Sequence, residues 1–328
     1  MPPSLHFVDT EEPGIARRRL RGHWAYFSAD GQRIVDRDAI DRLNAIGLPP
    51  AYTDAWFSTD PRAHILATGI DAAGRKQYRY HPEFVAERDS RKFESCAAFA
   101  ADLPRIRARV EKDLARRGLS AERAIASIVR LLDSGRIRVG NEQYVQANGS
   151  FGATTLRMRH ARLGGDRLTL RFHAKSGKLC TFSVSDRGLV RFVKQMQDLP
   201  GQHLFQYVSE DGEPVPISSS DVNAYIRETM GGDFTAKHFR TWAASALAFE
   251  WLAESQRRGG KGTLRDMLAH VSEHLGNTPA IARKSYIHPA LIDRARSGEG
   301  PDLGAGLPRR TRWLSRYERG LAAFLERC

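Results

Sequence analysis

The chain has 328 residues, of which 51 are Lys or Arg and 38 are Asp or Glu, leaving a formal charge of +13. That length suits about two domains, and 41% hydrophobic with 27% charged residues excludes wholesale disorder, collagen and coiled coil. The run of apolar or small residues around 243–249 is far short of the roughly 20 that a membrane span needs, so no membrane partner is expected. The first residues carry neither a basic region nor an apolar segment of a secretory signal, which points to a cytoplasmic location. Cys96, Cys180 and Cys328 are far apart and odd in number, so they read as reduced thiols with no metal-ligand spacing. The basic excess favours a polyanionic partner, of which double-stranded nucleic acid is the commonest inside a cell. Only 9 of the 51 basic residues are lysine. Lysine can give up a proton and arginine cannot, so each lysine matters.

The first 90 residues read as strand-rich. Residues 23–27 run into an Asp30-Gly31 turn and then 33–35, and 64–70 run through the turn 71–74 into 75–80, two hairpin-like units with a short helix over 38–46 between them. The charged run 86–92 reads as a hinge into helical structure. Beyond it the apolar period becomes 3.6: Ile125, Ile128, Val129 and Leu132 share a face behind the N-cap candidate Ser120, and Leu264, Met267, Leu268, Val271 and Leu275 repeat the pattern. Around 168–184 the period returns to two, with Leu168, Leu170 and Phe172, then Cys180, Phe182 and Val184, flanking a tip that carries Lys175 and Lys178. Helices are also predicted over 221–230, stopped by Gly231-Gly232, over 237–254 and over 313–325. Gly276 suits a helix C-terminus, Thr278 an N-cap and Pro279 a first helical position, so one helix ends and another begins within three residues, with Tyr286 about two turns on.

That last segment, Leu275-Gly276-Asn277 with tyrosine nine residues after the Asn, resembles the nucleophile segment of type IB DNA topoisomerases and, more loosely, of tyrosine recombinases. The other boxes follow the same resemblance. Arg136-Ile137-Arg138-Val139-Gly140-Asn141 is similar to the Arg-Ile/Val-Gly-Asn box and implies a first catalytic arginine at Arg138. Lys237-His238-Phe239-Arg240-Thr241 is similar to the Lys-Asp-Leu-Arg-Thr box and implies a second at Arg240. The hairpin tip implies a catalytic lysine at Lys175, with Lys178 three residues on as the other choice, and Asn277 stands where viral relatives have His. Gly74-Arg75-Lys76-Gln77-Tyr78-Arg79-Tyr80 resembles the strand with which the poxvirus-like and bacterial small enzymes contact duplex DNA. It implies DNA contacts by Arg75, Lys76, Gln77, Tyr78 and Tyr80, joined by Lys237, and it separates this family from the recombinases, whose N-terminal domain is helical.

The residue types suit metal-free phosphodiester transesterification. Two guanidiniums are fixed-charge donors for non-bridging oxygens, a neutral amide can hold another, a lysine can protonate the leaving 5′ oxygen, and a tyrosine is an adequate nucleophile. The 3′-phosphotyrosine keeps the bond energy, so neither nucleotide, metal nor other cofactor is expected. The resemblance thus implies an α+β protein: a β-rich N-terminal DNA-binding cap over 1–90 and a mainly helical catalytic domain with a β-hairpin over 91–328, closing on DNA as a C-shaped clamp and working as a monomer. A tyrosine recombinase and a non-catalytic basic duplex-binding protein are the alternatives. The tail past Pro301 matches nothing in the family pattern.

Overall fold

The computed structural model describes residues 5–199, 201–260, 262–301 and 306–328. The first four residues and the start of the tail past Pro301, both used in the readings above, lie outside them. The chain divides into two compact units, Met1–Lys92 and Phe93–Cys328.

In the first unit an antiparallel sheet has the order β2-β1-β3-β4-β5, from β1 (Ile15–Leu20), β2 (His23–Phe27), β3 (Thr53–Phe57), β4 (Ile65–Ile70) and β5 (Lys76–Tyr80). Helix α1 (Arg37–Ala45) is capped by the Asp36 carboxylate, which accepts from Ala39 N. The partner of β2 differs from expectation. Residues 33–35 contribute only a single bridge, Phe27 to Arg33, and β2 pairs with β1. The core of this unit gathers Ile15, Tyr26, Leu43, Leu48, Ala55, Phe57 and Ala67. Arg17 lies over the rings of Trp24 and Phe57 and donates to the carbonyls of Leu48 and Pro49, at 2.8 and 2.7 Å, so a charged strand residue binds the loop after α1.

The charged run 86–92 is itself helical: it lies inside α2 (Pro82–Leu114), where good helix formers such as Ala86, Glu87, Arg88 and Lys92 outweigh the run's polarity, and the two units divide at its end. In the second unit α3 (Ala121–Gly135) starts at Ser120, whose hydroxyl accepts from Arg123 N. Ile128, Leu131 and Leu132 are completely buried, and each such burial contributes about 1.5–3 kcal/mol. This firmly seats the end of α3, from which the Arg136–Arg138 stretch emerges. Then come α4 (Glu142–Asn148), the antiparallel sheet β6 (Ala161–Gly164), β7 (Arg167–His173) and β8 (Leu179–Ser185) in the order β6-β7-β8, α5 (Arg187–Met196), and a two-stranded ribbon of β9 (Gln206–Val208) and β10 (Pro214–Pro216). The predicted hairpin is therefore β7–β8, to which β6 adds a short third strand.

The rest is helical: α6 (Ser219–Met230), α7 (Ala236–Arg257), α8 (Leu264–Leu275), α9 (Pro279–Ser285), α10 (Pro289–Ser297) and α11 (Arg316–Leu325). Helix α7 is apolar nearly all round, with Phe239, Trp242, Ala244, Leu247, Ala248, Phe249, Leu252 and Ala253 buried, as befits the helix that α3, α6, α8, α10 and α11 pack against. The 313–325 prediction starts three residues early, because Ser315 caps α11 and forms a reciprocal box with Glu318. Among the described residues no helix is long and apolar enough to cross a membrane.

Candidate active site

Four of the residues singled out by the sequence meet in the second unit, each brought by a different element. Arg138 follows α3 in an irregular segment held by 3₁₀ turns: its carbonyl accepts from Ala153 N at 2.8 Å, and that of Val139 accepts from Thr154 N at 2.7 Å. The approach requires glycine on both sides. Gly140 has φ +97°, and a Cβ on Gly152 would fall 2.5 Å from Gly140 N and 2.7 Å from Arg138 O. Arg240 lies one turn into α7 and is 4% exposed. Asn277 sits between α8, which ends at Gly276 in the left-handed conformation, and α9, whose N-cap Thr278 accepts from Ile281 N. Tyr286 closes α9, donating its backbone N–H to Ala282 O. Ser245 of α7 then donates its hydroxyl to Tyr286 O at 3.4 Å and accepts from His288 N at 3.0 Å, which fixes the chain on either side of the phenol.

Asn277 is the hub. Its Oδ1 accepts from Arg138 Nη2 at 2.8 Å and from Arg240 Nη2 at 3.2 Å. Arginines only donate, so the amide oxygen must be the end that faces them. Nδ2 is left as a buried donor with no partner among the described residues. Arg240 also donates to the carbonyls of Leu275, at 3.1 Å, and Arg136, so its orientation is set by backbone on both sides. Its guanidinium stands 5.1 Å from the centroid of the Tyr286 ring. Burial pushes the Tyr286 phenol up, but the charges of Arg240 and then Arg138, with hydrogen bonding from both, pull it further the other way and leave it below the ordinary tyrosine value. Burial and the charge of Arg138 together lower Arg240.

The acids near Arg138 in sequence, Asp133 and Glu142, are engaged by other residues: Asp133 is taken by Arg107 at 2.8 Å, and Glu142 by Arg157. Arg107 also binds Glu318 at 2.6 Å, tying α2, α3 and α11 together. Lys175 is set apart from the cluster. It occupies the exposed tip of β7–β8 in a single 3₁₀ turn whose Ser176 has φ 67°, and Gly177 N donates to Ala174 O at 3.0 Å to close the turn. The hairpin does pass close to the cluster: burial raises the thiol of Cys180 on β8, and the charges of Arg240 and Arg138 reach it.

Comparison with known proteins shows what the chain resembles. Residues 76–296 match the family described as eukaryotic DNA topoisomerase I, catalytic core, and residues 23–71 match bacterial DNA topoisomerase IB, N-terminal domain. The chain is 31% identical over 285 residues to the DNA topoisomerase 1B of Acanthamoeba polyphaga mimivirus, covering 84% of this chain and 85% of that protein.

The chain belongs to the type IB DNA topoisomerases.

The DNA topoisomerase 1B of vaccinia virus, strain Copenhagen, is 22% identical over 268 residues, 79% of this topoisomerase and 82% of its own length. Among solved structures, the XerH site-specific recombinase in a post-cleavage complex with difH aligns with a TM-score of 0.35 at 15% identity, over 55% of this chain and 47% of that one, a likeness too slight to carry an argument.

The remaining singled-out residues of the topoisomerase lie elsewhere. Lys237 is exposed on the first turn of α7, three residues before Arg240. On β5, Tyr78 stacks on Tyr80 with ring centroids 5.9 Å apart, and Tyr80 stacks on Phe84. Lys76 Nζ donates to Thr10 Oγ1 at 2.9 Å and Glu11 Oε1 at 2.8 Å, whereas Arg75 and Gln77 both donate to Asp71. Sequence reasoning missed Asp71 and Ser245 as organising residues. The first was visible only as a turn residue, and the second has no sequence signal.

Proposed function

We propose that this topoisomerase relaxes supercoiled duplex DNA by transient cleavage of one strand. Tyr286 loses its phenol proton to solvent, helped by the charges of Arg240 and Arg138, and the phenolate Oη attacks the phosphorus; the P–O5′ bond breaks, a 3′-phosphotyrosyl bond forms, and the phenol regains its proton from solvent on religation. Lys175 gives its proton to the departing 5′ oxygen. Strand rotation follows, and attack by the 5′ hydroxyl restores the phosphodiester and returns the proton. Arg138 and Arg240 hold the non-bridging oxygens as charge builds on them, and Asn277 Nδ2 offers a further donor. Atoms and charge balance over the cycle without nucleotide or metal.

The observation that carries this reading is the shared hydrogen bonding of Arg138 and Arg240 to Asn277 beside a phenol that their charge makes more acidic. The two units are proposed as a DNA-binding cap and a catalytic domain acting as a monomeric clamp, with β5 and Lys237 against the duplex. A clamp that neutralises several phosphates releases counterions, so its affinity for any duplex should fall steeply with salt.

The test is incubation of the purified protein with negatively supercoiled plasmid in EDTA without ATP. A ladder of relaxed topoisomers is expected. Recombinant products would favour a recombinase, and unchanged plasmid would leave only a duplex-binding protein.

A further inference from the structure

Asp71 divides its carboxylate between two tasks. Oδ1 accepts from the turn amides Ala73 N at 2.9 Å and Arg75 N at 3.0 Å, the ordinary work of an Asp in a tight turn. Oδ2 instead accepts from two side chains, Arg75 Nε at 2.9 Å and Gln77 Nε2 at 2.9 Å, with Arg75 Nη2 at 2.8 Å from the same oxygen. The side chain of Asp71 is only 10% exposed, although it lies in a surface turn. β5 is the last strand of its sheet, so this network lies along an edge that another molecule can approach.

We infer that Asp71 is a positioning residue that sets the base preference of the topoisomerase, by fixing which end of the Gln77 amide faces away from the turn. The inference rests on the proposal that β5 contacts the duplex. A carboxylate only accepts hydrogen bonds, so the amide nitrogen must be the end that meets Asp71. Oε1 is then directed away, with the second N–H of the amide beside it. An ordered acceptor and donor of this kind is the complement of adenine, which presents its N6 amine and N7 in the major groove. Without the carboxylate the amide can turn over, and its order no longer distinguishes adenine from guanine. The hydrogen bonds from Arg75 hold the Asp71 carboxyl down to about 2, so it stays an acceptor at every pH at which the enzyme works.

The experiment maps covalent cleavage positions on a pool of randomised duplexes for the wild type and for Asp71→Asn, Asp71→Ser and Gln77→Leu. Asp71→Asn keeps an oxygen for the turn amides but can also donate, so both amide orientations become available. Asp71→Ser keeps a short acceptor that does not reach Gln77. Gln77→Leu should erase an adenine preference at one position near the cleaved bond. Both Asp71 variants should reduce adenine-over-guanine discrimination there by about tenfold, the range of one bidentate contact. If Gln77→Leu changes one position and the Asp71 variants keep wild-type preference at it, the role of Asp71 is overturned. If Gln77→Leu changes nothing, the reading of β5 as a base-contacting strand fails instead. A structure of the wild-type complex answers without any variant: Gln77 Nε2 remaining on Asp71 with Oε1 toward a base supports the inference, and the reversed amide overturns it.

Discussion

Arg240 is 4% exposed and donates to Arg136 O, Leu275 O and Asn277 Oδ1, whereas Lys175 is exposed at a hairpin tip and makes no hydrogen bond or ion pair among the described residues. The contrast follows from what each group is proposed to do. A group that stabilises developing charge is most effective when its dipoles are already aimed, because it then needs no reorganisation during the reaction. A group that transfers a proton changes its own charge in the step and must recover that proton afterwards, which access to solvent permits. Burying a lysine as deeply as Arg240 would penalise its charged form. The cluster is therefore assembled without substrate, and the proposed acid stands apart from it on an exposed hairpin tip.

Removing the nucleophile tests the cluster most severely. Tyr286→Phe should bind duplex DNA as the wild type does and form no denaturant-stable adduct; strand cleavage by that variant would place the nucleophile elsewhere. Lys175→Ala should slow cleavage of ordinary DNA by about 10²–10⁴-fold. On a substrate with sulphur as the bridging 5′ atom most of that loss should disappear, since a thiolate leaves without a proton. Arg138→Ala and Arg240→Ala should be rescued far less. Equal rescue of all three would erase the distinction between cluster and hairpin, and rescue of Lys178→Ala in place of Lys175→Ala would overturn the choice of Lys175 as the acid.

Asn277→Ala should cost cleavage about 10²-fold, as for a lost oxyanion donor, and Asn277→His should retain substantial activity. A folded, DNA-binding but inactive His variant would argue against equivalence with the viral position. The smallest effect is on pH dependence. Because the guanidiniums favour the phenolate, single-turnover cleavage should rise with pH to an inflection below the ordinary tyrosine value. Arg240→Ala removes the larger of the two charge contributions and should move that inflection upward; an unmoved inflection would mean that the profile reports another group.

Much of this organisation is legible in the sequence where local chemistry decides it. Gly276, Thr278 and Pro279 mark the α8–α9 junction because a left-handed residue, a hydroxyl cap and a proline at the first helical position each have a local physical cause. The β7–β8 hairpin is equally readable from its strict alternation. What long-range pairing decides is less visible. β1 contains Arg17-Arg18-Arg19, which gives no apolar alternation, and β3 is irregular, with Asp54 at φ 46° and a register shift against β4. At the site, the boxes name Arg138, Arg240, Asn277 and Tyr286, but not the carbonyls of Arg136 and Leu275 or the Ser245 hydroxyl that hold them. Backbone acceptors leave no mark on residue identity.

The contact between Gly140 and Gly152 has a genetic consequence. Arg138 is held in place partly by two residues that contribute no side chain, and a methyl group at 152 would meet the very backbone that carries the arginine. Neither glycine has a side chain to carry charge, polarity or a titratable proton, so a survey that ranks positions by side-chain chemistry would pass over both. Substitutions there would nonetheless act as catalytic lesions at a distance, and the two positions form a coupled pair through which the chain can vary only with difficulty.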